Sequence, residues 1–289
     1  MANAGKRVVP IYVVDAFTRE PFRGNPAAIC ILKEELDDGV LQSIAAEMNL
    51  SETAFLQPLE KKPLKKTKTF SLRWFTPKVE VPLCGHATLA TAAVLFCDVK
   101  VSADELIFQT KSGNLTAKKE KSGMCLNFPT EEPVEIDPPL KLISAAGVTS
   151  FRSAAYARRN KELLIHLFDG EDVRNLRPNF ELMKSAKTKE EIKGVVVTAS
   201  GKPAYDFVSR FFAPWLGINE DPVTGAAHTV LAPYWSKMLK KKEMLAYQAS
   251  KRGGELKVRI RSKNRVDLIG NAVIILKGEM HLQTKKFHV

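Results

Sequence analysis

Apolar and polar positions alternate along most of the chain, and the alternation predicts strands over 8–14, 70–75, 105–110 and 123–128, then over 163–168, 195–199, 255–261 and 272–277. Three stretches break that period. Over 38–49, Leu41, Ile44, Ala45 and Met48 fall at helical spacing and predict an outer helix with one apolar face. Over 87–96 the run ATLATAAVLF is apolar on every side and too short to cross a bilayer, which predicts a helix wrapped by strands. Its counterpart is expected over 226–238.

The second buried helix belongs to a larger repeat. Arg73, Phe75 and Pro77 match Arg210, Phe212 and Pro214, and after three extra residues in the later segment Pro82, Gly85 and Ala87 match Pro222, Gly225 and Ala227. The register continues, since Phe108-Gln109-Thr110 resembles Tyr247-Gln248-Ala249 and Ser112-Gly113-Asn114-Leu115 resembles Gly253-Gly254-Glu255-Leu256. A period of about 140 residues repeated twice is a duplication and not a solenoid. The reading is two mixed α+β domains, 1–130 and 131–289, each a curled sheet closing around a buried helix, with the last strand free to exchange onto the first half. The Pro-rich and acidic stretch 129–139 is the expected linker.

Composition narrows the class. A chain of 289 residues, 45% hydrophobic and 26% charged, suits two modest cores. The short β-branched run near the N-terminus, broken by Asp15, lacks the apolar region of a signal peptide, and no stretch reaches the roughly 20 residues of a membrane span, so a soluble cytoplasmic protein is expected. Cys30, Cys84, Cys97 and Cys125 form no C-x-x-C pair, which argues against both a zinc site and a disulfide framework. The net charge of +12 gathers in 61–68, in 240–242 and at Lys285 and Lys286, runs that read as solvated loops; without aromatic interleaving, no nucleic-acid partner is expected.

Candidate chemistry lies where the repeat places a glycine just ahead of an apolar helix, at Gly85 and at Gly225. Helix N-termini carry unpaired N–H groups and about half a positive charge, so paired turns suit a small carboxylate; a single such Gly read by itself is only a tight turn. Nearby proton carriers are His86, Asp221 and Glu52. Glu52 precedes the apolar Ala54, Phe55 and Leu56, and burial of a carboxyl moves its pKa toward neutrality, where it both donates and accepts protons. Each has a structural alternative that the residues leave open: Glu52 as a cap or ion-pair partner, His86 as a core histidine, Asp221 as a turn cap before Pro222, and Asn25 as a turn former. No G-x-S-x-G, Walker A, G-x-G-x-x-G or H-E-x-x-H pattern is present, leaving plain acid/base chemistry without metal or cofactor.

Asp15-Ala16-Phe17, Phe22-Arg23-Gly24-Asn25-Pro26-Ala27-Ala28, Asn49-Leu50-Ser51-Glu52-Thr53-Ala54-Phe55, Arg73-Trp74-Phe75-Thr76-Pro77, Pro82-Leu83-Cys84-Gly85-His86-Ala87-Thr88 and Glu220-Asp221-Pro222-Val223-Thr224-Gly225 together resemble the PhzF-like family of phenazine biosynthesis. The resemblance implies two pseudo-symmetric domains of the diaminopimelate-epimerase-like fold and a cofactor-independent isomerase, often a homodimer. It gives Glu52 the proton-moving role on a small carboxylic acid and gives His86 and Asp221 substrate-holding roles, with Gly85, Thr224, Gly225, Ala226 and Asn25 around them. Ala226 departs from the family's common Ser, which removes a hydroxyl contact but leaves the backbone N–H groups of Gly225 and Ala226 for an anion. Two-thiol racemases share the implied fold, yet the repeat partner of Cys84 is Thr224, so a two-thiol mechanism is unsupported. The alternative reading is a protein that keeps the fold, lacks catalysis and acts through protein partners.

Overall fold

A computed structural model describes residues 6–283; the first five residues and the Lys285–Lys286 pair lie outside the described residues. Backbone contacts divide the chain into two compact units. Among the described residues the first comprises 6–21, 26–124 and 272–283, and the second comprises 22–25 and 125–271.

The first unit begins with β1 (Lys6–Ala16) and β2 (Asn25–Ile31), then α1 (Asp38–Met48), β3 (Glu52–Pro58), β4 (Thr69–Phe75), the short β5 (Glu80–Val81), α2 (Gly85–Ala93), β6 (Glu105–Thr110) and β7 (Gly113–Glu120). In the second follow β8 (Gly123–Pro129), which starts at the division, β9 (Val134–Glu135), α3 (Leu140–Ala145), β10 (Ser153–Ala157), β11 (Glu162–His166), α4 (Gly170–Asn175) and α5 (Phe180–Ser185). It continues with β12 (Gly194–Ser200), β13 (Phe207–Ala213), β14 (Ile218–Asp221), α6 (Gly225–Leu239), β15 (Glu243–Gln248), β16 (Gly254–Ser262) and β17 (Arg265–Gly270). The final strand, β18 (Ala272–Gln283), lies in the first unit.

Both units are α+β, and their strand ladders repeat. In the first, β2 runs parallel to β3, β3 antiparallel to β4, β4 parallel to β6 and β6 antiparallel to β7. In the second, β11 runs parallel to β12, β12 antiparallel to β13, β13 parallel to β15 and β15 antiparallel to β16. The registers superpose residue on residue: Phe55 faces Arg73 as Val197 faces Arg210, and Ala27 lies beside Glu52 as Glu162 lies beside Gly194.

The helix α2 is buried from His86 to Ala93 and touches β1, β3, β7 and β18, the strand wrapping that its unbroken apolar run requires. Its last turns, Val94–Val99, widen into a π-helix that ends at Lys100 in the left-handed region. In the second unit α6 packs on β15, β16 and β17. The outer helix α1 buries Leu41, Ile44 and Ala45 and stops at Asn49, whose left-handed backbone (φ 49°) lets its N–H close on the Ala45 carbonyl.

The stretch 129–139 is fastened to the second unit. There β9 pairs with β10, and the Glu131 carboxylate accepts the N–H groups of Arg159 and Asn160. Prolines and acids read as a loose connection, but these pairings satisfy its backbone locally.

Candidate active site

Residues of the first unit gather one polar cluster at the N-terminus of α2. Cys84 is the extended residue that caps the helix, Gly85 starts it and His86 is its second residue, so the helix leaves the N–H groups of Gly85, His86 and Ala87 without intrahelical acceptors. Glu52 arrives from a different element, as the first residue of β3. Its Oε2 lies 3.2 Å from His86 Nε2, and the two side chains are 13% and 6% exposed. On the other side of the ring, His86 Nδ1 lies 3.5 Å from Cys84 Sγ.

Burial drives the His86 imidazole down to about 3, because a charged ring would forfeit its hydration. The ring is therefore neutral near pH 7, and its contact with Glu52 is that of a neutral imidazole with a carboxyl group rather than an ion pair. A neutral ring carries one proton and one lone pair. The tautomer suited to both neighbours has N–H at Nε2, toward Glu52, with Nδ1 accepting the thiol proton of Cys84. One ligand atom from each of Glu52, Cys84 and His86 lies within 4.8 Å of the others, a donor set of the kind that binds zinc.

The corresponding turn of the second unit is built on hydrogen bonds. Asp221 ends β14 and Thr224 caps α6. Asn25 Nδ2 donates to Asp221 Oδ1 at 2.9 Å and to the Val223 carbonyl at 3.0 Å, while the Thr224 hydroxyl donates to Asp221 Oδ2. Gln248, at the end of β15, accepts from the Thr224 N–H at 2.9 Å and donates to the Asp221 carbonyl at 2.7 Å. Burial pushes the Asp221 carboxyl up to about 6, while the bonds from Thr224 and Asn25 act in the opposite direction. Both oxygens of Asp221 are thus committed to the turn that presents Gly225, which is buried, and Ala226, which is exposed.

Glu52, Gly85 and His86 therefore meet in one cluster, and Asn25, Asp221, Thr224 and Gly225 meet in another. Two contributors, and one further buried acid outside both clusters, escaped the sequence reading. Cys84 joins Glu52 and His86 although its own pattern argued against a metal set. Gln248 carried a signal, its recurrence as Gln109 in the repeat, but nothing local pointed it at Thr224. Glu162 is 4% exposed, its Oε2 has no hydrogen-bond partner, and burial raises its carboxyl to about 8.

The family model described as "Phenazine biosynthesis-like protein" matches residues 14–278. Phenazine biosynthesis-like domain-containing protein 1 of Mus musculus is 46% identical over 284 residues, covering 94% of this chain and 99% of that protein. An uncharacterized isomerase of Halalkalibacterium halodurans is 48% identical over 277 residues, covering 94% and 98%. Among solved structures, a phenazine biosynthesis protein of the PhzF family from Enterococcus faecalis superposes with a TM-score of 0.87 at 43% identity, over 96% of this chain and 100% of that one. A predicted epimerase from Pseudomonas aeruginosa shares the fold, with a TM-score of 0.73 at 20% identity over 94% and 99%.

Proposed function

This chain belongs to the phenazine biosynthesis-like (PhzC-PhzF) family, and from that premise we propose that it is a cofactor-independent isomerase that moves a proton on a small carboxylic acid, with Glu52 as the acid/base. The observation that carries the proposal is the Glu52–His86 contact of 3.2 Å at the N-terminus of a buried helix. Relatives named as isomerases support the reaction class.

In the proposed reaction the Glu52 carboxylate takes a proton from one carbon of the substrate, and the resulting carboxylic acid returns it to another. One group serves in both directions because nothing else needs to change charge. The neutral His86 ring lies 3.2 Å from the Glu52 carboxyl group without adding a cation that would hold it ionised throughout the cycle. The N-terminal N–H groups of α2 and α6 are suited to hold anionic oxygen, those of α6 through Gly225 and Ala226. Asp221, together with Asn25, Thr224 and Gln248, fixes that turn in a form suited to an anion. The homodimer implied by the sequence resemblance belongs to the same proposal and is checked by light scattering.

The experiment is solvent exchange. The protein is incubated in D2O with a mixture of small carboxylic acids, and mass spectrometry follows deuterium entering any acid. We expect incorporation with the native chain and at least a hundredfold less with Glu52→Gln, at an unchanged melting temperature. Equal incorporation by the two proteins overturns the role of Glu52; no incorporation into any acid, with no thermal shift, favours the non-catalytic alternative.

A further inference from the structure

Three side chains of different chemistry converge on one point of the first unit: the Cys84 thiol, the His86 imidazole and the Glu52 carboxyl, with one ligand atom from each within 4.8 Å of the others. We propose that they form a site for a thiophilic divalent cation, of which zinc is the best match, and that the cation, once bound, stops Glu52 from carrying a proton.

Geometry and donor type both support the site. Zinc takes thiolate sulfur at about 2.3 Å and imidazole nitrogen or carboxylate oxygen at about 2.0 to 2.2 Å in a tetrahedron, which places its donors roughly 3.3 to 3.8 Å apart. Only one ring nitrogen can bind the cation, so one of the two short contacts counts as an edge of the site, 3.5 Å to Cys84 through Nδ1 or 3.2 Å to Glu52 through Nε2, and the remaining separations lie within 4.8 Å. Closing the other two edges needs a contraction of up to about an ångström each, and Glu52, a long side chain at the start of a strand, supplies the movement. On binding, the Cys84 thiol releases its proton to solvent, the imidazole coordinates through one nitrogen and keeps its proton on the other, and water fills the fourth position.

The second unit bears out the specificity of the arrangement. The repeat places Thr224 opposite Cys84, Ala226 opposite His86 and Gly194 opposite Glu52, so none of the three donors recurs. Among the described residues one such site is the consequence. Zinc seated there holds the Glu52 carboxyl as a ligand and withdraws its lone pairs from any substrate proton. That consequence rests on the function proposed above, whereas cation binding does not.

Cobalt(II) is the probe, since a cobalt–thiolate bond gives an intense near-ultraviolet charge-transfer band. The full chain titrated with cobalt chloride is expected to develop that band with an end point at one equivalent and to lose it on adding one equivalent of zinc chloride. Cys84→Ser should abolish the band, Glu52→Gln should weaken cobalt binding at least tenfold, and Cys97→Ser, which removes the exposed thiol, should leave both unchanged. No band at saturating cobalt, a band that survives Cys84→Ser, or one that disappears with Cys97→Ser overturns the site. Zinc is then added to the D2O exchange assay, where one equivalent is expected to slow deuterium incorporation at least tenfold. A band without any exchange activity sinks the catalytic reading alone, and exchange activity without a band sinks the cation site alone.

Discussion

Glu162 lies at the start of β11, 4% exposed, with a carboxyl raised to about 8 by burial. Such a group is protonated in the folded chain and ionised in the unfolded one between pH 4.5 and 8, so the folded state binds one more proton across that window. Its effect on stability is absent below the unfolded value and grows more unfavourable as pH rises toward 8. Glu162→Gln should therefore leave the unfolding free energy unchanged at pH 4 and raise it at pH 8, by an amount on the order of 4 kcal/mol in denaturant unfolding; equal shifts at both values would refute the assignment. Asp221 offers a second check. Thr224→Val removes the donor to its Oδ2 while leaving it buried, so its carboxyl should titrate above 6 in an NMR titration. Site residues were legible where the repeat or the motif marked them, as with Glu52, Gly85 and Gly225. Glu162 was not, because in the run Lys161-Glu162-Leu163-Leu164 a charge at a strand's end looks like an exposed edge, and only the pairing with Gly194 and Ala157 reveals its burial.

The elements that aim the two turns share one device. Arg73 on β4 forks onto Glu80 of β5 at 2.8 and 2.9 Å, and Arg210 on β13 forks onto Glu220 of β14 at 2.7 and 3.0 Å. Each guanidinium also stands over an aromatic ring of its own strand, Phe75 or Phe212, at 5.1 or 5.0 Å. The fork ties down the short strand that leads into the turn before the buried helix. Arg210, 7% exposed, adds a bond to the Leu176 carbonyl at 2.9 Å, so Arg210→Lys cannot replace its planar contacts. We expect a loss of about 2 kcal/mol in denaturant unfolding for Arg210→Lys, and about 3 kcal/mol or more for Arg210→Met, which leaves Glu220 without its partner. Leu89, fully buried in α2, should cost about 2 to 5 kcal/mol as Leu89→Ala. The helices and most strands were legible because their periods are strong. The π-helical end of α2 was not, since Val94 to Val99 carry no period distinct from the α-helical run before them.

For the whole molecule, the duplication was readable from Arg73, Gly85 and their partners, because both copies answer to the same packing demands around a buried helix. The exchange of the last strand onto the first half was an expectation from the repeat, but its partner and register were not legible in the spacing. The first unit is completed by β18, which pairs antiparallel with β1 from Ala16 opposite Ala272 to Lys6 opposite Gln283. Ending the chain after Asn271 should therefore deprive β1 of that partner, and we expect loss of the cooperative unfolding transition of the first unit, read by hydrogen exchange at β1 and α2, while strands β10 to β16 stay protected. Undiminished protection of α2 would show that β18 is dispensable. The same pairing orders events during synthesis. The strand that seals the segment holding Glu52 and His86 is made about 180 residues after α2, roughly 10 to 40 seconds later at 5 to 20 residues per second. Through that interval the bare apolar surface of β1 and α2 must be shielded by a chaperone or by transient contacts, so the half that carries the proposed chemistry is also the half most exposed to aggregation before it is finished.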